Sequence, residues 1–211
     1  MLESSMAPVP NRRLGSFVVL LYCAAAASGL HALSAASRGI ERAVPPRAIG
    51  AVLDLSDWDF RHDGPVRLAG EWEFYPGRLL RSAEMKSPAE TRAIPDRWRG
   101  AEAGGTAGMG AGTYRLRVLL GSGGLDLGIR VPTVSTAFEL DANGVMIGRA
   151  GKPALLAGDA KPGCFTGICR VPAPASSGEL ELVVRVSNHE YRTGGMWSPF
   201  LLGIEESLRA D

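Results

Sequence analysis

Beyond its apolar N-terminal stretch, the chain offers two side chains that titrate near neutral pH, His62 and His189. His62 stands in Arg61-His-Asp-Gly64, a composition that makes turns. His189 follows Ser187 and Asn188 and precedes Glu190, so the residue types of a Ser/His/acid triad are present. Such triads are defined by geometry, which types alone do not supply. The sequence has no Gly-Lys phosphate loop, no His-Glu-x-x-His and no Gly-x-Ser-x-Gly elbow. No catalytic residue and no cofactor is therefore assigned, and a hydrolase built on His189 is the weakest functional reading.

Two further groups invite metal or redox chemistry. Asp54, Asp57, Asp59 and Asp63 are hard oxygen donors of the kind calcium takes, but they lack EF-hand spacing. They alternate along a strand-like run and are read as solvent-facing strand charges. Cys164 and Cys169 lie five positions apart with Gly167 between them, which permits a short-loop disulfide. Free thiols are the alternative. A zinc site falls short of four ligands, so no metal is expected.

Recognition chemistry is better represented. Asn188-His-Glu-Tyr-Arg-Thr-Gly-Gly-Met-Trp197 combines an amide, a guanidinium and two aromatic rings. Sugars need this mixture, planar donors and acceptors for hydroxyls and a ring face for the C–H side. Asn188, Arg192 and Trp197 are the candidate ligand contacts. The competing reading is a structural turn, in which Asn188 bonds its own backbone and Trp197 fills core. Arg115, which with Arg117 flanks Leu116, is a candidate for an acidic ligand, against a default of a solvated strand face.

The elements that must position these groups are strands. Residues 71–75, 113–120, 125–131 and 180–187 carry alternating or apolar strand patterns, and 197–202 reads as the last strand. Within 113–120 the alternation gives way to apolar residues, as in a strand entering a core. Asn143-Gly144 between two strand-like runs (residues 136–149) predicts a two-residue hairpin turn. Trp72, Phe74, Tyr114 and Phe138 sit in these runs as core candidates. Residues 76–86 and 204–209 allow a helical turn or two, and 99–112 reads as a loop. Short strands separated by turns, with 27 Gly and 14 Pro, indicate an all-β antiparallel sandwich.

Before that body, residues 14–37 are uncharged, and Arg12-Arg13 precede them. A helix of that length could cross a hydrocarbon core of about 30 Å. Basic residues followed by an apolar stretch are the layout of a secretory signal, with Ser34-Ala-Ala36 at the spacing a peptidase reads. The organisation expected is a basic region (1–13), a signal peptide or membrane-anchoring apolar helix (14–36), a linker (37–49) and the sandwich (50–211). A net charge of +1, with 20 Arg and 3 Lys, excludes the basic surplus of a nucleic-acid binder and any polybasic membrane patch.

Several blocks in order carry a family resemblance: Gly50-Ala-Val-Leu-Asp-Leu-Ser-Asp-Trp-Asp-Phe60, Gly64-Pro-Val-Arg-Leu-Ala-Gly-Glu-Trp-Glu-Phe-Tyr75, Pro95-Asp-Arg-Trp98 and Gly112-Thr-Tyr-Arg-Leu116. Asn143-Gly144, Val186-Ser-Asn188, Gly194-Gly195 and Leu202-Gly203 follow. Over residues 50–203 the chain resembles the extracytoplasmic sensor domain of bacterial seven-transmembrane receptors with diverse intracellular signalling modules. The resemblance implies a galactose-binding-like jelly roll, similar to the sugar-binding domain of some glycoside hydrolases. It also implies a periplasmic place, a small sugar or small acid as ligand, and a membrane-embedded signalling partner. Those receptors continue into membrane helices and an output domain, whereas this sequence stops at Asp211; a free-standing or anchored ectodomain, or a truncated product, is expected. The function expected is non-catalytic ligand sensing or carbohydrate binding. The alternative is an envelope protein-interaction scaffold with no small-molecule ligand.

Overall fold

A computed structural model describes residues 44–210 except 87–89, 102, 106, 123 and 173–177. The expected signal or anchor segment, residues 14–36, and residues 37–43 of the expected linker lie outside the described residues. Of that linker, Ala48 is buried and bridges Gly70, so the folded body already includes it. No helix among the described residues is long and apolar enough to cross a membrane.

The body is all β, as the alternating patterns predict. In chain order the strands are β1 (Val52–Leu55), β2 (Val66–Arg67), β3 (Gly70–Pro76), β4 (Glu90–Ile94), β5 (Gly110–Leu120), β6 (Leu127–Val131) and β7 (Val134–Ser135). There follow β8 (Ala137–Ala142), β9 (Val145–Ala150), β10 (Gly167–Arg170), β11 (Glu179–Asn188), β12 (Gly195–Met196) and β13 (Leu201–Ile204), and then a short helix, α1 (Glu205–Ala210). A 3-10 turn, Ser82–Glu84, is all that forms of the first helical expectation.

A seven-stranded sheet runs β4-β3-β5-β11-β8-β9, with β1 also on β5; it faces a four-stranded sheet, β10-β6-β13-β2. β5 is long enough to hold two partners on one edge, β3 antiparallel along residues 112–115 and β1 parallel along 117–120. That parallel pair departs from the all-antiparallel expectation. The expected strand 197–202 is divided instead, with Trp197 in the connection between β12 and β13.

Strand alternation sends one set of side chains inward. In β5 these are Tyr114, Leu116 and Val118, and in β11 Leu180, Leu182, Val184 and Val186, all fully buried. Beyond Val118 the expected apolar run continues as half-buried Leu119 and Leu120, the latter packed against the core. Trp72, Phe74 and Phe138 join this core, packed against Ile129 and Leu202 of the opposite sheet. Asn143 and Gly144 both have positive φ (48° and 77°), the geometry of the expected hairpin turn between β8 and β9. Gly70 has φ +111° and a would-be Cβ 2.4 Å from the Ala48 carbonyl oxygen, so only glycine lets the entering chain approach β3.

The outer face of the large sheet is covered too. Leu80 N–H donates to Thr113 Oγ1 (2.9 Å), which itself donates to the Arg78 carbonyl (2.7 Å). Ala154 N–H donates to Ser187 Oγ (3.2 Å). Beneath these two segments Val183, Arg185 and Ser187 are buried although they point away from the core. Arg185 donates to both oxygens of Asp141 (2.7 and 2.9 Å) and to Glu139 (3.0 Å).

The expected Cys164–Cys169 disulfide is not formed. β10 turns Cys169 into the core, where its Sγ occupies the space beside Gly148, while Cys164 is exposed on the preceding loop. Burial also pushes the Cys169 thiol above its ordinary pKa. Iodoacetamide is therefore expected to modify Cys164 in the native protein and Cys169 only on unfolding. Peptide mapping checks this, and a crosslinked 164–169 peptide in a non-reduced digest would contradict it.

Candidate ligand pocket

β1 and β5 are parallel neighbours, so the loops that follow them leave the sandwich at the same end. Between those loops, residues 56–61 and 120–127, lies a cavity of about 460 Å³, within the range that holds small ligands. Trp58 is half-buried in its wall beside buried Phe60, with Leu125 opposite. Asp57 and Arg61 stand exposed at its rim with Ser122.

This loop holds its shape by hydrogen bonds of its own. Ser56 donates both its amide (3.0 Å) and its hydroxyl (2.6 Å) to Asp54 Oδ1, and these bonds hold the Asp54 carboxyl below its ordinary pKa. Arg61 N–H donates to Asp59 Oδ1 (2.8 Å), and Asp59 N–H to Asp63 Oδ2 (3.3 Å). The Trp58 indole N–H donates to the Gly64 carbonyl (2.9 Å), fixing the plane of the ring. The four aspartates were expected on a strand. The structure keeps Asp54 as an exposed charge on β1, which ends at Leu55, places Asp57, Asp59 and Asp63 beyond it, and uses Asp54, Asp59 and Asp63 as turn-forming acceptors. Among the described residues no group of His, Cys, Asp or Glu is placed to hold a metal ion.

The pocket thus presents a planar donor (Arg61), an acceptor (Asp57), a hydroxyl (Ser122) and an indole on a braced loop. Like residues 188–197, it sets a guanidinium beside an indole, but with a carboxylate and a hydroxyl in place of the amide and second ring. The residues that form it here were missed because Asp54 to Phe60 keeps an alternating pattern. The available signal was Ser56-Asp57, a turn-prone pair interrupting that pattern.

The segment 188–197 lies at the opposite end, because β11 runs antiparallel to β5 and pairs Asn188 with Gly110. Asn188 is fully buried, which corrects its assignment as a ligand contact. Its amide donates to the carbonyls of Gly108 (2.8 Å) and Tyr191, and its oxygen accepts from Tyr191 N–H (3.1 Å). No polar atom of Asn188 is left for a ligand. Trp197 is half-buried and donates to the Gly194 carbonyl (2.9 Å). Its ring lies 5.8 Å from that of Tyr191 and 5.6 Å from the guanidinium of Arg97, a neighbour not anticipated from the sequence. Arg192 is exposed on the turn. Trp197 and Arg192 therefore share a surface but line none of the larger cavities.

Arg115 is elsewhere again, on the outer face of the large sheet. Its Nε donates to Glu181 (2.6 Å) and its Nη1 to Glu73 (3.4 Å). With two carboxylates already on the guanidinium, the expected acidic-ligand role is replaced by cross-strand pairing. His189 Nε2 lies 2.9 Å from the Ala154 carbonyl oxygen, an acceptor, and His62 pairs with Asp63 (2.7 Å). Since only a donor satisfies a carbonyl, Nε2 of His189 carries the proton there.

Three motif blocks of the resemblance, at residues 95–98, 112–116 and 194–195, meet inside the core. Tyr114 donates its hydroxyl to Asp96 Oδ2 (2.7 Å), and Trp98 donates its indole N–H to the Tyr114 oxygen (2.7 Å). Arg92 closes on the other Asp96 oxygen at 3.5 Å. Residues 96–98 are in turn hydrogen-bonded to 194–196. The blocks at 95–98, 112–116 and 194–195 thus brace the sandwich from within.

No protein-family model and no curated protein sequence matches the chain. Solved structures do. A β-glucuronidase from Bacteroides uniformis is similar with a TM-score of 0.51 and 18% identity, over 65% of this chain and 17% of that one. A glycosyl hydrolase family 2 member from Bacteroides cellulosilyticus follows at 0.50 and 14%, over 66% and 20%. The Ruminococcus gnavus β-glucuronidase stands at 0.50 and 13%, over 66% and 29%. The chain thus spans less than a third of each neighbour, and the likeness is one of fold, a β-sandwich that recurs within glycoside hydrolase family 2 proteins.

Proposed function

We propose that the domain is a non-catalytic, extracytoplasmic recognition module that binds a small carbohydrate at the pocket beside Trp58. The observation that carries this reading is the pocket itself, where a fixed indole stands beside Asp57, Arg61 and Ser122 at one end of a rigid sandwich. Loops on a rigid β scaffold are where such folds display binding groups. The indole covers the apolar face of a pyranose ring, and the rim groups take its hydroxyls. The ordered motif blocks support a role as the ectodomain of a signalling receptor, coupled to a membrane-embedded partner. Residues 14–36 would deliver or anchor it.

The test is titration of the protein with a panel of neutral and acidic hexosides, followed by calorimetry. Saturable binding is expected, weakened about tenfold or more when Trp58→Ala removes the ring face. Because Trp58 also packs, Asp57→Asn serves as the exposed second variant, with a fold unchanged by circular dichroism and weaker binding. Failure of the whole panel to bind, or equal binding by both variants, overturns the proposal.

A scaffold role is favoured by one feature. Leu155 and Leu156 are 55% and 68% exposed side by side on a surface loop. Crosslinking to an envelope protein that is lost in Leu155→Ser/Leu156→Ser, with no hexoside binding, would support that reading instead.

A further inference from the structure

The outer face of the four-stranded sheet carries a groove chemically unlike the pocket at Trp58. Pairing in register places Ile168 of β10, Arg130 of β6, Leu201 of β13 and Arg67 of β2 in one row across the sheet. Their inward neighbours, Cys169, Ile129, Leu202 and Val66, are buried, so the row itself points outward. Arg130 and Arg67 are separated by two strand spacings, about 9.5 Å, with Leu201 as the floor between them. α1 packs against the sheet where Gly128 and Gly203 face each other, anchored by buried Leu208, and borders the groove with exposed Arg209. The cavity enclosed is about 760 Å³.

Its charge is one-sided. Among the described residues Arg67, Arg130 and Arg209 line it and no carboxylate does. Arg209 is held by Glu205 (2.7 Å), and Arg130 donates one amino group to the Leu208 carbonyl, which orients the guanidinium without neutralising it. Arg67 is exposed, on the far side of Leu201. On the opposite sheet Arg115, Arg117 and Arg185, which also point outward, are paired with glutamate or aspartate. Two guanidiniums over an apolar floor, with no acid between them, form a receptor for an anion that also has an apolar body.

We propose that this groove binds a small amphipathic organic carboxylate, its acid group held between Arg67 and Arg130 and its apolar part on the half-buried Leu201 and Ile168. Each guanidinium can take a carboxylate edge bidentately, and an acid over Leu201 is within reach of both. The neutral carboxamide of the same shape keeps the apolar contact but loses both charged pairs. The site is independent of the pocket at Trp58.

The experiment uses naphthalene-2-carboxylate and naphthalene-2-carboxamide as probes, titrated into the protein and followed by backbone amide chemical shifts. The carboxylate is expected to bind about tenfold or more tightly than the carboxamide, with shifts centred on β2, β6 and β13. Arg67→Gln, at an exposed position that leaves the fold intact, is expected to reduce that preference to about threefold or less. Raising salt from about 0.05 M to about 0.5 M should weaken the carboxylate and leave the carboxamide unchanged. Equal affinities for the two probes, shifts centred on residues 56–61, or a preference unaltered by Arg67→Gln would overturn the proposal.

Discussion

Arg185→Ala is expected to lower the free energy of unfolding by about 3–5 kcal/mol, the range for breaking a buried ion pair on one side. The guanidinium is the sole cation on Asp141 among the described residues, and both side chains are only 5% exposed. Alanine leaves the Asp141 carboxylate under the segment that carries Leu80, without a counter-charge and with little access to water. Glu139, at 22% exposure, keeps part of its hydration and loses less. Removing both ends should be far milder. In the double variant Arg185→Met/Asp141→Leu no charge is stranded, and methionine can fill the space of the arginine stem. Urea unfolding of the two single variants and the double variant checks this. A double variant as unstable as Arg185→Ala would mean that packing by the arginine stem, and not the stranded carboxylate, sets the cost.

The second large effect belongs to Tyr114. Tyr114→Phe removes the donor to Asp96 and the acceptor of the Trp98 indole, for an expected loss of about 1–3 kcal/mol at neutral pH. The same hydroxyl makes stability sensitive to alkali. Burial, reinforced by the Asp96 carboxylate, pushes the Tyr114 pKa well above the ordinary tyrosine value. Below about pH 10 the hydroxyl is protonated in both states and its contribution is complete. Above that pH the unfolded chain sheds a proton that the folded chain retains, so stability falls as pH rises toward the folded pKa. The slope from this one group reaches at most about 1.4 kcal/mol per pH unit. Tyr114→Phe should therefore show a shallower decline between about pH 10 and pH 12 than the parent chain. Parallel declines would show that the group does not control alkaline unfolding. Tyr75, whose pKa burial also raises, leaves some slope in the variant.

The strands that could be read from sequence were those whose pattern survives in the fold. The hairpin at Asn143-Gly144 needed two positive-φ residues, and only residues of that type supply them readily. β5 and β11 alternated because one face meets the core. β4 escaped notice because an edge strand of composition Glu-Thr-Arg-Ala-Ile buries little, and its pairing is supplied by β3. β10 escaped because Gly-Ile-Cys-Arg is too short to show a period. A different kind of miss concerns the outer face of the large sheet. Alternation separates two faces but does not say that the second is also covered, and the segments covering it, around Leu80 and Ala154, have no periodicity. Arg185 is buried for that reason.

The site divided in the same way. Asn188 had the right residue type for a ligand contact, yet an Asn at a strand end can satisfy neighbouring backbone groups, and this one does so completely. Trp58 was legible as part of a family block but not as a pocket wall, because Asp54 to Phe60 imitates a strand. Arg67 and Arg130 lie far apart in sequence, and only strand pairing brings them into one row.

That row depends on β13 pairing with β2, Leu201 against Arg67. β1 similarly waits for Arg117 and the residues after it. Both early strands thus depend on partners synthesised much later, which gives the domain a high contact order and places its folding in the slow, millisecond-to-second class. Until Leu201 emerges, Val66 and the core-facing residues of β6 lack a continuous sheet to join. A nascent chain growing at about 5–20 residues per second therefore spends several seconds with that apolar surface uncovered. During this interval the polypeptide is most open to chaperone capture and to aggregation, and fusing a stalled or shortened C-terminal part would prolong it.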